Sequence, residues 1–321
     1  MIPLHIERIG LALPPNTENA EELSKKIGRS ADWIRRRAGV ETRHISDLSM
    51  PELGAQAGLD ALGDGPPPDL LINASGVAHQ VLPDTSVFIQ NAMGLSAIPS
   101  FSIHATCLSF IAALQCASGL LNQGFYRRIL VVSSDLGSRG RNFEEAESAA
   151  LLGDGAAAAV LTLPPEGIIS GMHSFKMQTY PEGREFTAVR GGGTRLHPQN
   201  PATTAADNLF HMKGPAIFKM ALRETPPIID AVLKKAHLEK QDLQLVVPHQ
   251  ASGFGVEVYR RYGFSEKQVV DIVEKQGNCV SASIPMALAH AIQTRRLNRG
   301  DDFMLVGTGA GLSIAACILR F

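Results

Sequence analysis

The chain has 321 residues, 45% hydrophobic and 19% charged, with a formal net charge of -1. That length suits one large domain or two fused medium ones, with enough core to stand without staples. The near-zero charge excludes a bulk field that would draw nucleic acid or an anionic membrane, and the basic clusters Arg35–Arg37 and Arg295-Arg296 are short.

The opening MIPLHIERIG lacks the pattern of a signal peptide, and no uninterrupted apolar run approaches the roughly 20 residues that span a bilayer. Cys107, Cys116, Cys279 and Cys317 match no zinc spacing. The expectation is a cytoplasmic protein with reduced thiols and no metal centre.

In chain order, LLINASG (70–76) reads as a buried strand. IPSFSIHA is strand-like and leads into HATCLSF (104–110). The segment 106–124 reads as a helix, with Cys116 packed inside it. RILVVSSD (128–135) and AAAAVLTL (156–163) are strands, the second preceded by the turn LLGDG, where Asp154 is expected to hold the turn. PPEG at 164–167 breaks the pattern. The polar stretch 181–208 reads as a partly ordered flap, with Arg190 a weak candidate for substrate contact. Residues 214–238 form one amphipathic helix, or two broken at Pro226-Pro227. LQLVVPHQ (243–250) is a strand with polar residues at its end, and 301–321 repeats the order of strand, Gly-rich turn and Ala-rich strand. The whole is an α/β pattern in two similar halves, residues 1–165 and 166–321.

Three residues carry the chemistry. A lone cysteine is most often structural. Cys107, however, lies where a strand-like run turns into a helix, and a helix N-terminus favours the thiolate. His249 follows strand LVVP, at the end where sites gather in α/β architectures. Asn278 follows Gly277 in a turn, and its amide is a donor that does not titrate. A thiol nucleophile with an imidazole and an amide to steady developing charge is a coherent set. The Gly-rich VGTGAGLSIAA (306–316) offers backbone N–H groups for an oxyanion.

ADWIRRRAGVETRHI (31–45), HATCLSF with LLGDGAAAAV (151–160), VVPHQAS (246–252), GNCVSASIP (277–285) and the closing VGTGAGLSIAACILRF occur in an order that resembles β-ketoacyl-ACP synthase III and its relatives in the thiolase superfamily. The resemblance implies a thiolase fold with a five-layered αβαβα core, and a homodimer. Cys107 would take an acyl group from a thioester. His249 and Asn278 would stabilise the enolate of a malonyl thioester, usually carried on acyl carrier protein, as it loses carbon dioxide. The N–H groups of Cys107 and Ala310 would bind the oxyanion. Trp33, Arg37, Leu82, Phe218 and Ser252 would face substrate, Leu82 by crossing into the partner's acyl pocket. No metal or redox cofactor is implied.

The departures are specific. The family follows its cysteine with a small residue and then Gly-Phe; here Leu108-Ser109-Phe110 stands there. Ala146 replaces an arginine that helps hold coenzyme A, Ser252 an asparagine, and Phe254 a basic residue. The expectation is a specialised member whose acyl donor arrives on a carrier protein or is held mainly by its chain. A non-malonyl acceptor (an amine, an alcohol or a second β-keto chain) is the main alternative. A thiol hydrolase and a non-catalytic partner subunit are more remote.

Overall fold

The computed structural model describes residues 1–321. Two five-stranded sheets carry the fold. The first runs His5–Ala12, Asp154–Thr162, Arg128–Leu136, Leu70–Asn73, Ser100–Ser102; the second runs Ile2–Pro3, Gly171–Thr179, Ser313–Arg320, Asp302–Gly309, Leu245–Pro248. In both, an antiparallel pair of long strands joins a parallel strand: Arg128–Leu136 lies antiparallel to Asp154–Thr162 and parallel to Leu70–Asn73, as Asp302–Gly309 does to Ser313–Arg320 and Leu245–Pro248. The isolated parallel bridge from Val246 to Val269 takes the place that Ser100–Ser102 has in the first sheet.

Strand side chains alternate between faces. Ala157, Ala159 and Leu161 enter the central core, while Ala156, Ala158 and Val160 enter an outer one against helix Met50–Leu62. Phe303 and Leu305 face the centre, while Met304 and Val306 face a second outer core beneath helix Gly214–Ala236. Helices Ser109–Asn122 and Ser283–Gln293 lie between the sheets. The layers are helix, sheet, helices, sheet, helix.

Two sequence expectations are corrected. The central helix begins at Ser109, not 106, because Thr106 takes a left-handed φ of 52° that no helix accommodates. Cys116 is exposed: the buried face of that helix is Phe110, Ile111, Leu114, Ala117, Ser118 and Leu121, and Cys116 falls off it. Residues 301–321 follow the expected order of strand, turn and strand: Asp302–Gly309 pairs with Ser313–Arg320 across a tight turn.

Pro226 and Pro227 do not divide their helix, which continues from Gly214 to Ala236. Ile228, Ile229, Val232 and Leu233 on its next turns are buried against the second sheet, and this packing holds the helix where two backbone donors are missing. The stretch 181–208 is partly ordered: Thr187–Ala188 pairs with His211–Met212, and Arg190 bonds Asp207 at 2.5 Å.

Candidate active site

The strand ends and turns between the two sheets bring the site together. Cys107 lies in the tight passage between Ser100–Ser102 and the central helix. The N–H of Leu108 bonds the Ala105 carbonyl at 3.1 Å, and that of Ser109 bonds the Thr106 carbonyl at 3.1 Å. The N–H of Cys107 makes neither bond; it and the N–H of Ala310 lie close enough to the thiol to favour its charged form. Backbone donors from both halves of the chain thus lie beside one sulfur.

Part of the Cys107 residue reaches the surface, but its thiol is enclosed by protein. Burial pushes the thiol up to about 12, helped by the Asp135 charge, and the two backbone N–H groups only partly offset this. This corrects the expectation of an easily ionised thiol. The cysteine precedes the first helical turn, and burial exceeds the local dipoles.

His249 follows strand Leu245–Pro248, with its N–H bonded to the Val306 carbonyl at 2.8 Å. Gln250 fixes that turn by bonding the carbonyls of Pro248 and Val270 and accepting from the N–H of Ile272 at 2.9 Å. His249 is 4% exposed and its Nδ1 has no partner. Burial lowers its pKa to about 4, so the ring is neutral at pH 7.

Gly307 explains how close the halves come. A Cβ there would lie 2.7 Å from the His249 Cβ and 3.3 Å from a Leu108 methyl, so the histidine and the residue after the nucleophile meet across it. Gly309 does the same for Thr106: a Cβ would lie 2.5 Å from its Oγ1.

Asn278 is placed by its own amide. Nδ2 donates to the Ala251 carbonyl at 3.2 Å, two residues past His249, and Oδ1 accepts from the Val280 N–H at 2.9 Å. Its backbone bonds both Leu151 and Gly153. Asp135 closes the arrangement. It accepts from the N–H groups of Gly76, Val77 and Ser281 and from the Ser281 hydroxyl, tying the Asn278 loop to the first sheet. Burial raises its pKa to about 6, against those four donors. Asp154 accepts from the N–H groups of Ser46 and Ser138, and so holds its turn. Cys279 packs in the central core rather than lining the site.

A cavity of about 420 Å³ reaches His249 from the surface. Arg37, Phe218 and Ser252 line it, together with Glu147, Phe254 and Thr308. Ser252 also caps helix Gly253–Arg261, accepting from the Gly255 N–H at 3.0 Å. Cys107, Asn278 and Ala310 lie behind this lining: Ala310 follows Thr308 by two residues, and Asn278 bonds the lining residue Ala251. Trp33 and Leu82 are not part of the cavity. Trp33 is half-buried beneath Arg29, and Leu82 is 80% exposed.

Asp135, Thr106 and Glu147 escaped the sequence reading. An acidic residue ending a buried strand was the signal for Asp135, and a run of three glutamates within four positions that for Glu147. Thr106 gave none, since backbone strain is not written in composition.

A family model described as 3-oxoacyl-[acyl-carrier-protein] synthase III matches residues 101–181, and the model of its C-terminal part matches residues 233–321. A β-ketoacyl-[acyl-carrier-protein] synthase III of Fusobacterium nucleatum is 31% identical, covering 100% of this chain and 99% of its own. The crystal structure of 3-oxoacyl-[acyl-carrier-protein] synthase III from Aquifex aeolicus superposes with a TM-score of 0.89 at 28% identity, over 99% of this chain and 100% of that one. The priming β-ketosynthase of the R1128 polyketide pathway gives a TM-score of 0.89 at 25% identity, over 99% and 96% of the two chains.

Proposed function

The chain belongs to the 3-oxoacyl-[acyl-carrier-protein] synthase III family, with the thiolase fold, and from that premise we propose how its own residues carry the family's reaction. It is a condensing acyltransferase: an acyl thioester loads a cysteine, and a malonyl thioester then condenses with loss of carbon dioxide.

Cys107 is the nucleophile. Its sulfur attacks the thioester carbonyl, a new C–S bond forms, and the donor leaves as a free thiol carrying the Cys107 proton. The carbonyl oxygen becomes an oxyanion between the N–H groups of Cys107 and Ala310, which gain most when charge develops. The malonyl thioester then loses carbon dioxide. His249, as a neutral imidazole, and the second N–H of Asn278 donate to the enolate oxygen. The enolate carbon attacks the acyl carbonyl, the C–S bond to Cys107 breaks, and the departing thiolate takes up a proton from solvent to restore the thiol. These steps use protein groups alone and call for no metal or redox cofactor.

Arg37, Phe218 and Ser252 are the proposed contacts of the thioester arm, with Trp33 beside the mouth. Acyl carrier protein is the proposed macromolecular partner. A homodimer in which Leu82 reaches the partner's acyl pocket, and a cytoplasmic location, complete the reading. In the structure, no helix is long and apolar enough to cross a membrane.

The meeting of His249 with Leu108, the residue after Cys107, across Gly307 carries this proposal. Its test is the mass of the Cys107 adduct after incubation with acyl thioesters, followed by addition of malonyl-acyl carrier protein. A β-keto product with carbon dioxide release is expected. An adduct that moves to an amine, alcohol or β-keto acceptor without decarboxylation would replace the condensation step.

A further inference from the structure

Two helices, Gly214–Ala236 and Gly253–Arg261, wall the cavity. Ala221, Leu222 and Val258 make that wall apolar. Three hydroxyls interrupt it: Thr225, Tyr259 and Tyr262. Thr225 is 2% exposed and Tyr259 is 4% exposed, so this is the inner end of the space. Tyr262 donates to the Ala221 carbonyl at 3.4 Å and lies beside Thr225. The Tyr259 ring is fixed edge-on against Tyr262, with centroids 5.6 Å apart at 84°. Its hydroxyl makes no hydrogen bond within the chain and is not among the fully enclosed polar atoms, so it opens on the cavity that Tyr259 lines.

A buried phenol normally finds a hydrogen bond. Here the hydroxyl opens on a largely apolar space that also reaches His249. Gly255, one turn before Tyr259, keeps that space open. A Cβ there would meet only the cavity-lining side chains of Ala251 and Ser252, both at 3.3 Å. The one cation of the lining, Arg37, is paired with Glu147. The inner end therefore offers donors and apolar surface but no countercharge, which excludes a carboxylate or phosphate.

We infer that the inner end of this cavity recognises an uncharged apolar chain bearing one keto, ether or hydroxyl oxygen, and that Tyr259 donates a hydrogen bond to that oxygen. Only the attachment of this chain to a thioester rests on the acyl-transfer reading; the site itself does not.

Amide analogues of acyl-pantetheine, which cannot transfer their chain, test this directly. They are made in pairs, each chain with and without one oxygen, and titrated calorimetrically into the wild type, Tyr259→Phe and Thr225→Val. At least one oxygenated member is expected to bind the wild type about tenfold tighter than its plain partner, the scale of one satisfied buried hydrogen bond. Tyr259→Phe should bring that ratio near one without weakening the plain partner, and Thr225→Val should narrow it. If the wild type separates no pair, the inference fails. It fails equally if Tyr259→Phe weakens both members alike, because Tyr259 then serves the shared pantetheine arm. Should Tyr259→Phe not fold, by its thermal melt, the wild-type ratios and Thr225→Val decide. Absence of any Cys107 adduct from the parent thioesters would overturn the acyl-transfer reading, while the calorimetric ratio would still judge this one.

Discussion

Arg37 holds its guanidinium on Glu147 at the mouth of the cavity, with Nη2 at 2.7 Å and Nε at 2.9 Å from the same Oε1. The second cation that the family places nearby is Ala146 here. The retained arginine is thus already neutralised, and a phosphate-rich donor gains little from it.

Glu147→Gln should release Arg37. The kcat/KM for an acyl-CoA is expected to rise about three- to tenfold, the range of one partly exposed charge-assisted contact. An acyl-pantetheine lacking the nucleotide should change less than about twofold. Adding Arg37→Ala should cancel the gain. Salt titration provides the second reading: the gain shrinks as ionic strength rises. An unchanged ratio of the two donors would place the nucleotide elsewhere.

Cys107, with its thiol pushed up to about 12, and His249, with its imidazole lowered to about 4, are both neutral at pH 7. A thiolate–imidazolium pair would need the opposite shifts. Because the thiol pKa lies above the working range, the thiolate fraction grows with pH throughout it. Alkylation of the unliganded enzyme by iodoacetamide should therefore quicken about tenfold per pH unit from pH 6 to 9. A plateau beginning near pH 5 would show an ion pair and favour hydrolase chemistry. The same His249 shift affects stability. Its folded pKa lies below the ordinary value, so the unfolded chain binds the proton first, and this group costs stability as pH falls from about 6.5 to about 4.

Asn278 places itself by bonding backbone with both ends of its amide. Asn278→Asp keeps the acceptor for the Val280 N–H and removes the donor. Decarboxylation of the malonyl thioester should fall about 10²–10³-fold, while acylation of Cys107 stays within about threefold. Stopped-flow loading and carbon dioxide release separate the two steps. Equal loss in both would make Asn278 a scaffold rather than an enolate donor.

Much of the site could be read from the chain because strand ends and Gly-rich turns carry local signatures. VVPHQ and GNCVS declare a strand end and a turn, and the order of His249 and Asn278 behind Cys107 did the rest. What stayed hidden was non-local or a matter of balance. Helix position alone suggested an acidic thiol at Cys107; enclosure by residues far along the chain reverses it. Glu147 gave no specific reading because its partner is 110 positions away. Tyr259 read as nothing, since an unpaired hydroxyl is visible only when the opposite helix is in place. Cys116 was misplaced for a simpler reason: its helix is apolar nearly all round, which blurs the buried face.

Thr106 and Gly309 lie against each other behind the nucleophile, and the strain sits in the Thr106 backbone. Thr106 is a β-branched residue with φ 52°, and its buried Oγ1 has no partner and lies where a Gly309 side chain would go. Left-handed backbone at such a residue costs about 1–3 kcal/mol. Gly309→Ala should drive its methyl into Thr106, displace the adjacent Ala310 N–H and cut kcat about 10²-fold. Thr106→Gly alone should be tolerated in stability. In the double variant it should restore most of the lost kcat, because the colliding atom is gone. A double-mutant cycle measures this, and additive losses would show that the two residues act separately.

Ser100–Ser102 is the open edge of the first sheet, and the surface around it is unusually apolar for a free edge. Phe101 is 38% exposed, Val77 57%, Val81 77% and Leu82 80%. An unpaired edge beside such a patch is a liability unless something covers it. A second copy, paired edge to edge about a two-fold axis, would cover both at once and is self-complementary. Leu82→Asp places a charge in that contact and should convert a dimer to monomer at micromolar concentration, read by sedimentation velocity. Leu82→Ala should keep the dimer but shift the preferred acyl length, because the side chain would reach the partner's pocket. A wild-type monomer would remove Leu82 from the site. A dimer untouched by Leu82→Asp would place the interface on another face.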